Sequence, residues 1–347
     1  MTPAATGHPH SVALVMIVRD EAAGLRRTLD SARPWVDRLV VVDTGSRDDT
    51  PAIARAAGAE VHAIAWPADF AAARNAALDL ARADWHLVLD GDEWLGDGAE
   101  ALAVLRDVPP LFVGALRVDS AQDRGGATVS SSWLARVLPG AVRYRGRVHE
   151  QPVHTLPVRR LPVVVHHDGY RDAALARKAG RNAALLQQAL AQQPDDAYGW
   201  YQLGKDHDVY ARAADALACF ARAEALLPPL GPAPGWLHDL SVRRLHAFKT
   251  CARHADGMAQ AAAELERWAD SPDFFFALGD LLLDWAAHEP QRATDLLPMI
   301  AAAWTRCLEI GERPDLEGAV AGRGSHLARH NLDLLDRLCP DRHQEPA

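Results

Sequence analysis

At 347 residues, 49% of them hydrophobic, the chain is long enough for two domains with separate cores and too apolar to be disordered throughout. Its 37 basic and 46 acidic side chains give a formal charge of −9 with no broad basic field, which removes nucleic acid from the expected partners. No apolar run of about 18 uncharged residues occurs, and the start MTPAATGHPHS has neither a basic nor an apolar signal region, so no membrane span and no secretion signal are expected.

Residues 1–10 read as a disordered N-terminus. From residue 11 short apolar runs alternate with helical spacing: 12–18, 39–42, 59–64 and 85–89 as strands, 22–31 and 69–81 as helices. Another helix opens at Thr50-Pro51, with Thr50 as the N-cap and Pro51 at the first helical position, where its missing N–H costs nothing. This alternation predicts an α/β domain, a mostly parallel, Rossmann-like sheet covered on both faces. After Pro109-Pro110, residues 111–118, 128–138, 142–144 and 158–165 read as added strands that complete the same domain.

Beyond Tyr170 strand signals stop and Ala, Leu, Arg and Gln dominate, so residues 11–170 and 171–340 are expected to be separate domains, the second all-α. Within 196–228, Trp200, Leu203, Gly204, Ala216, Phe220, Ala223 and Pro228 fall on the tetratricopeptide (TPR) pattern, with His207 where Tyr is usual. A looser second copy begins near Phe275, Leu278 and Gly279, and the insertion with His288-Glu-Pro290 is expected to push Trp304 out of register. An irregular helical bundle is the competing description beyond residue 230. The four cysteines, Cys219, Cys251, Cys307 and Cys339, form no Cys-x-x-Cys pair and are expected to be free thiols in a reducing cytoplasm.

Ligands of open α/β sheets bind beyond the carboxyl ends of the strands, and acidic residues stand at three such ends: Asp20-Glu21, Asp43, and Asp90 with Asp92. Asp43 precedes Thr44-Gly45-Ser46 and can either meet a base or ribose or simply cap that loop. In WHLVLDGDEWL, Gly91 lets the chain turn so that Asp90 and Asp92 can face one space, where two carboxylates call for a hard cation, Mn2+ or Mg2+. A solvated acidic turn is the plain alternative. Neither Gly-x-Gly-x-x-Gly nor a P-loop is present in this segment, so dinucleotide hydride transfer and Walker-type hydrolysis lose their usual support.

The strings VALVMIVRDEAAGLRRTLDSARPWVDRLVVVDTGSRDDT and DFAAARNAALDLARADWHLVLDGDEWL resemble the family 2 glycosyltransferases of GT-A fold, and most of all the soluble bacterial branch with a TPR-like C-terminal half. The resemblance covers about residues 11–170 and implies a metal-dependent, inverting transfer from a nucleotide-sugar, commonly UDP-linked, to a protein, peptide or glycan acceptor, with the helical half recognising the acceptor. It implies that Val18, Arg19 and Glu21 line the nucleotide pocket, with Asp20 where Asn is common. Asp43 and Arg74 would complete the base site. Asp90 would lie against ribose and metal water, and Asp92 would ligate Mn2+ or Mg2+ with His167, His166 being its substitute.

The segment RYRGRVHE, residues 143–150, resembles the family's Arg-x-x-Gly-Arg-x-His-Glu, followed by His167-Asp-Gly-Tyr170. An inverting transfer needs a general base, and the resemblance assigns Glu150. Without the resemblance, a surface salt bridge to Arg145 or Arg147 is the preferred reading of Glu150. Arg143, Arg145 and Arg147 alternate and so share one face of a strand, where they can meet a diphosphate or face water. His149-Glu150 is no zinc-protease motif, because His154 is one residue too far and Pro152 would break the helix. Glu93 is expected to be solvated or merely supporting. Two alternatives of other classes stand beside the transferase: a GT-A and TPR scaffold without catalysis that binds partner proteins, and a sugar-1-phosphate nucleotidylyltransferase, which lacks its glycine- and basic-rich loop here.

Overall fold

The computed structural model describes residues 8–122, 128–167, 180–228 and 233–338. Within them two compact units form, one of 8–122 with 133–167, the other of 128–132 with 180–228 and 233–338.

The first unit runs β1 (Val12–Val18), α1 (Leu25–Ala32), β2 (Arg38–Asp43), α2 (Thr50–Ala56), β3 (Glu60–Ala63), α3 (Phe70–Ala81) and β4 (Trp85–Val88). These are the predicted elements, their ends displaced by at most three residues. There follow β5 (Glu93–Leu95), a 3-10 stretch (Ala99–Arg106), β6 (Val113–Gln122), β7 (Thr128–Pro139), β8 (Arg143–Arg145), β9 (Gln151–Val153) and β10 (Val158–His167). The sheet order is β3-β2-β1-β4-β7-β6-β10-β5, with β8 and β9 as a separate pair. Strands β1 to β4 are mutually parallel where they pair, β7 runs antiparallel to β4, and β5 antiparallel to β10. The expected α/β fold with antiparallel additions, followed by a predominantly helical half, is what the described residues adopt.

Residues of β1 alternate between two cores. Leu14 and Met16 pack with Leu25 and Leu29 of α1, while Ala13 and Val15 pack with Ala77 and Leu78 of α3. A parallel strand covered on both faces therefore reads as one apolar run. The register sets Val18 beside Asp43 and Val15 beside Val88, so the chain ends of β1, β2 and β4 open on one edge.

Two local expectations fail. Thr50 is the first helical residue of α2 rather than its N-cap, a position held by Asp49, and its hydroxyl is spent on Asp48 and on the backbone N–H of Glu21. The expected disordered start does not extend to residues 8–10: His8 Nδ1 lies 3.0 Å from Asp107 and the His10 N–H donates to the Arg106 carbonyl at 3.1 Å. Residues 1–7, the expected boundary near residue 170 and Cys339 lie outside the described residues.

The second unit contains α4 (Arg181–Gln192), α5 (Ala197–Val209), α6 (Ala213–Ala225), α7 (Leu237–Thr250), α8 (His254–Glu264), α9 (Pro272–His288), α10 (Ala293–Ile310) and α11 (His326–Leu338). A two-residue strand, β11 (Ala319–Val320), pairs antiparallel with Ser130 and Ser131. The TPR positions pack as their pattern requires: a Cβ on Gly204 would sit 2.4 Å from Phe220, so only glycine lets α5 and α6 approach this closely.

The hairpin α5–α6 is repeated by α7–α8. In the first, Ala211 adopts φ +57° and the Arg212 N–H returns to the His207 carbonyl at 2.8 Å; in the second, Ala252 adopts φ +53° and the Arg253 N–H returns to the Phe248 carbonyl at 2.9 Å. Left-handed alanine after a helix is uncommon, since glycine usually takes that position. The copy expected near Phe275 is the pair α9–α10. Here Trp304 does meet Gly279, whose added Cβ would lie 2.3 Å from Nε1, because the extra residues lengthen both helices, to 17 and 18 residues, instead of breaking the pair. Cys219 and Cys307 are buried free thiols, raised to about 11 and about 12 by desolvation, and Cys251 is a half-buried one. Among the described residues no helix is long and apolar enough to cross a membrane.

Candidate active site

At the carboxyl edge of the sheet the chain from Asp90 to Glu93 turns tightly against α1. Gly91 makes that possible: a Cβ there would fall 2.6 Å from Cγ of Glu21. Its carbonyl accepts the Thr28 hydroxyl at 3.2 Å, which fixes the turn. Asp90 then points at two arginines. Arg74 of α3 donates Nη2 to Oδ1 at 2.7 Å, and Arg136 of β7 donates Nη2 to Oδ2 at 3.1 Å. The other edge of Arg74, Nε, donates to Glu150, and Arg136 also donates to Glu93.

These contacts revise several expectations. Arg74 joins Asp90 to Glu150, and the Asp43 carboxylate is occupied by its own loop, accepting the Gly45 and Ser46 N–H groups at 3.2 Å and the Ser46 hydroxyl. Asp43 thus caps the loop that follows β2, while still ending its strand at the open edge. Glu150 pairs with Arg74 and not with Arg145 or Arg147. Glu93 is not solvated: it is 2% exposed and accepts the Asp90 N–H at 3.0 Å besides Arg136.

Asp20 holds φ +55°, a left-handed conformation that Asp tolerates, and its carboxylate accepts the Arg47 N–H at 2.7 Å. Its charge is thereby committed to the loop after β2. Val18 has its side chain in the core with Leu25 and Leu29, and its carbonyl accepts the Thr44 N–H at 3.0 Å. Arg19 is exposed, Glu21 half-buried against Gly91, and Arg147 offers its carbonyl to the Phe70 N–H at 2.8 Å, which starts α3. Arg143 leaves the site and pairs with Asp79 at 2.6 Å.

The two histidines of β10 go to opposite sides. His166 packs between Trp94, ring centroids 5.3 Å apart, and Gly96. His167 places Nε2 3.6 Å from Oδ2 of Asp92 and Nδ1 3.0 Å from the Ser120 hydroxyl. Asp92 and His167 are therefore one donor pair, with His166 turned away.

Burial by itself would lift Asp90, yet Arg74 and Arg136 hold its carboxyl well below the usual range. Burial outweighs Arg136 for Glu93 and pushes that carboxyl up. Burial would lower the His167 imidazole, but the Asp92 hydrogen bond and the charges of Asp92, Glu93 and Asp90 raise it. This corner of the site favours positive charge.

Two residues that the sequence did not single out complete the set. Arg136 stands alone in an otherwise apolar stretch of β7, a signal that could have flagged a buried ion partner. Tyr144 lies under Arg74, 5.6 Å from ring centroid to guanidinium carbon, and its hydroxyl is pushed up to about 12, chiefly by burial. Asn75 clamps its backbone through bonds of 2.9 and 2.8 Å. Arg74 Nη1, Arg136 Nε and the Tyr144 hydroxyl are buried without a partner, polar capacity that a ligand could use.

A divalent cation fits Asp92 and His167. Octahedral bonds near 2.1 Å set neighbouring donors about 3 Å apart, a short step from the observed 3.6 Å. One carboxylate and one imidazole leave the remaining positions to water and ligand phosphates, the usual division for such ions. Asp90, with each oxygen already held by a guanidinium, is better placed to orient the site than to bind metal directly.

Residues 13–127 match the family model described as "Glycosyl transferase family 2". The matched stretch, from the second residue of β1, takes in β2 to β5 and the turn that carries Asp90 and Asp92. A TPR repeat-containing protein of Synechococcus elongatus is 38% identical over 211 residues, 56% of this chain and 51% of that protein. The SPbeta prophage-derived glycosyltransferase SunS of Bacillus subtilis is 24% identical over 212 residues, 58% of this chain and 50% of that one. The chain thus spans about half the length of the curated relatives it matches. Among solved structures, glucosyl-3-phosphoglycerate synthase from Mycobacterium tuberculosis, in complex with Mn2+, UDP and glucosyl-3-phosphoglycerate, is 23% identical with a TM-score of 0.26, covering 34% of this chain and 46% of that one.

Proposed function

We propose that the chain is a metal-dependent, inverting glycosyltransferase that moves a sugar from a nucleotide donor, UDP-linked in the first instance, to a protein, peptide or glycan acceptor. The observation that carries this reading is the Asp92–His167 pair at the carboxyl edge of the sheet that carries the family 2 match, 3.6 Å apart, beside buried donors with unused capacity. Asp92 and His167 hold Mn2+ or Mg2+, which when bound neutralises the donor diphosphate as a Lewis acid.

Glu150 takes the acceptor proton as the acceptor atom attacks the anomeric carbon and the bond to the diphosphate oxygen breaks. Arg74 Nε aims Glu150, and its other edge ties that base to Asp90. Val18, Arg19, Glu21 and Asp43 border the nucleotide, and Arg147 the diphosphate side. The helical unit recognises the acceptor, and the protein works in the cytoplasm.

Purified protein incubated with a panel of UDP- and other nucleotide-sugars plus Mn2+ should release nucleotide. Glu150→Gln, which still accepts from Arg74, should slow release by about 10²-fold or more with donor affinity retained. Binding of no nucleotide-sugar by the folded protein would remove the proposal. Unchanged turnover in Glu150→Gln would remove the base assignment.

A further inference from the structure

Three metal-type side chains of the second unit converge far along the chain from Asp92. His254 opens α8 directly after the left-handed turn at Ala252, and Asp284 and His288 share a face of α9 at its last turn, four residues apart. His254 Nε2 lies 2.7 Å from Oδ2 of Asp284, and His288 Nδ1 lies 3.4 Å from the same oxygen. One donor atom from each of the three falls within 4.8 Å of the others. Tetrahedral bonds of about 2.0–2.1 Å set donors roughly 3.3 Å apart, so small side-chain movements close the set on an ion.

The surroundings hold this arrangement in place. The His254 ring is 5% exposed and stacks parallel on Trp285, centroids 5.9 Å apart at 8°. The C-terminal end of α9 adds its partial negative charge. The nearby cations are engaged elsewhere: Arg253 bonds Asp256 at 2.7 Å, and Arg292 lies over Trp285 and 3.9 Å from Glu289. His288 is 56% exposed, which leaves one side of the set to water.

We infer that His254, Asp284 and His288 form a binding site for a borderline divalent cation, Zn2+ foremost, that fastens α8 to α9 and keeps a fourth, water-filled position. Two imidazoles and one carboxylate suit Zn2+ and give Mg2+ little reason to bind. Binding requires the Nε2 lone pair of His254 to face the ion, with the ring proton on Nδ1, and His288 gives up its 2.9 Å bond to the Asp284 carbonyl.

The test uses the full chain without a histidine tag, stripped of metal, in the Asp92→Asn background so that the first unit does not contribute. Calorimetric titration with Zn2+ should show one equivalent bound, and Co2+ should give tetrahedral visible absorption. His288→Ala, at an exposed position, and Asp284→Asn, which still accepts from His254, should each weaken Zn2+ by at least about tenfold. Zn2+ should raise the unfolding midpoint of the parent and not of His288→Ala. Equal Zn2+ affinity in parent and both variants, or no Zn2+ bound by the parent, overturns the site.

Discussion

Replacing Arg136 with Met removes the one guanidinium shared by Asp90 and Glu93. Glu93 is 2% exposed and its carboxyl is already raised by burial, so without Arg136 it must either stay charged in the core or take a proton. Breaking a buried pair in this way costs roughly 3–5 kcal/mol. The sign of the pH dependence follows from the raised pKa. Below the unfolded value of about 4.3 the protonated Glu93 contributes its full stability, and this is lost as pH rises through the folded value, at up to about 1.4 kcal/mol per pH unit. The deficit of Arg136→Met should therefore be larger at pH 7.5 than at pH 5.5. Arg136→Met/Glu93→Gln, with no buried charge left unpaired at that position, should regain at least about 2 kcal/mol. Hydrogen exchange at Leu87 and Val137, paired across β4 and β7, reports the first unit separately from the helical one. A single-variant cost under about 1 kcal/mol, or a double variant no better than the single, would refute the reasoning.

Other outcomes follow from individual contacts. Burial, with Arg143 adding to it, holds the His86 imidazole down to about 4. The unfolded chain, at about 6.5, binds that proton first, so the first unit should lose about 3 kcal/mol as pH falls from 6.5 to 4; His86→Gln should flatten this slope in a series of thermal melts. Gly91→Ala drives a methyl to 2.6 Å from Glu21 Cγ, and should cost about 1–3 kcal/mol in a urea titration while weakening nucleotide binding measured by calorimetry. Gly204→Ala meets Phe220 at 2.4 Å and should destabilise the helical unit by a similar amount, with exchange in the first unit unchanged.

The alternation of β1 to β4 with α1 to α3 was legible because each strand is covered on both faces and each helix on one, which leaves uninterrupted apolar runs and helical spacing. Strand ends also announced Asp43, Asp90 and Asp92. What pairs with them did not show, since contacts between residues 74, 90, 136 and 150 are set by tertiary approach and carry no local period. Arg136 in a strand reads like any outward-facing arginine until the opposite face is known. Of the two expectations for Glu93, solvated or supporting, only the first fails, because a tight turn at Gly91 undoes the simple alternation of faces. In the helical half, α5–α6 carries the Trp, Leu and Gly positions of the repeat and α7–α8 does not, sharing with it the Ala-Arg turn at 211–212 and 252–253.

On the proposed function, Asp92 and His167 hold a divalent cation against a nucleotide diphosphate. Calorimetric titration of UDP into the protein, with Mn2+ and with chelator, tests this most directly when repeated on Asp92→Asn. The wild-type chain should bind UDP markedly tighter with Mn2+ than with chelator, and Asp92→Asn should bind it equally in both at the chelator level. Metal-independent binding by the wild type, or a full Mn2+ effect in Asp92→Asn, would contradict it.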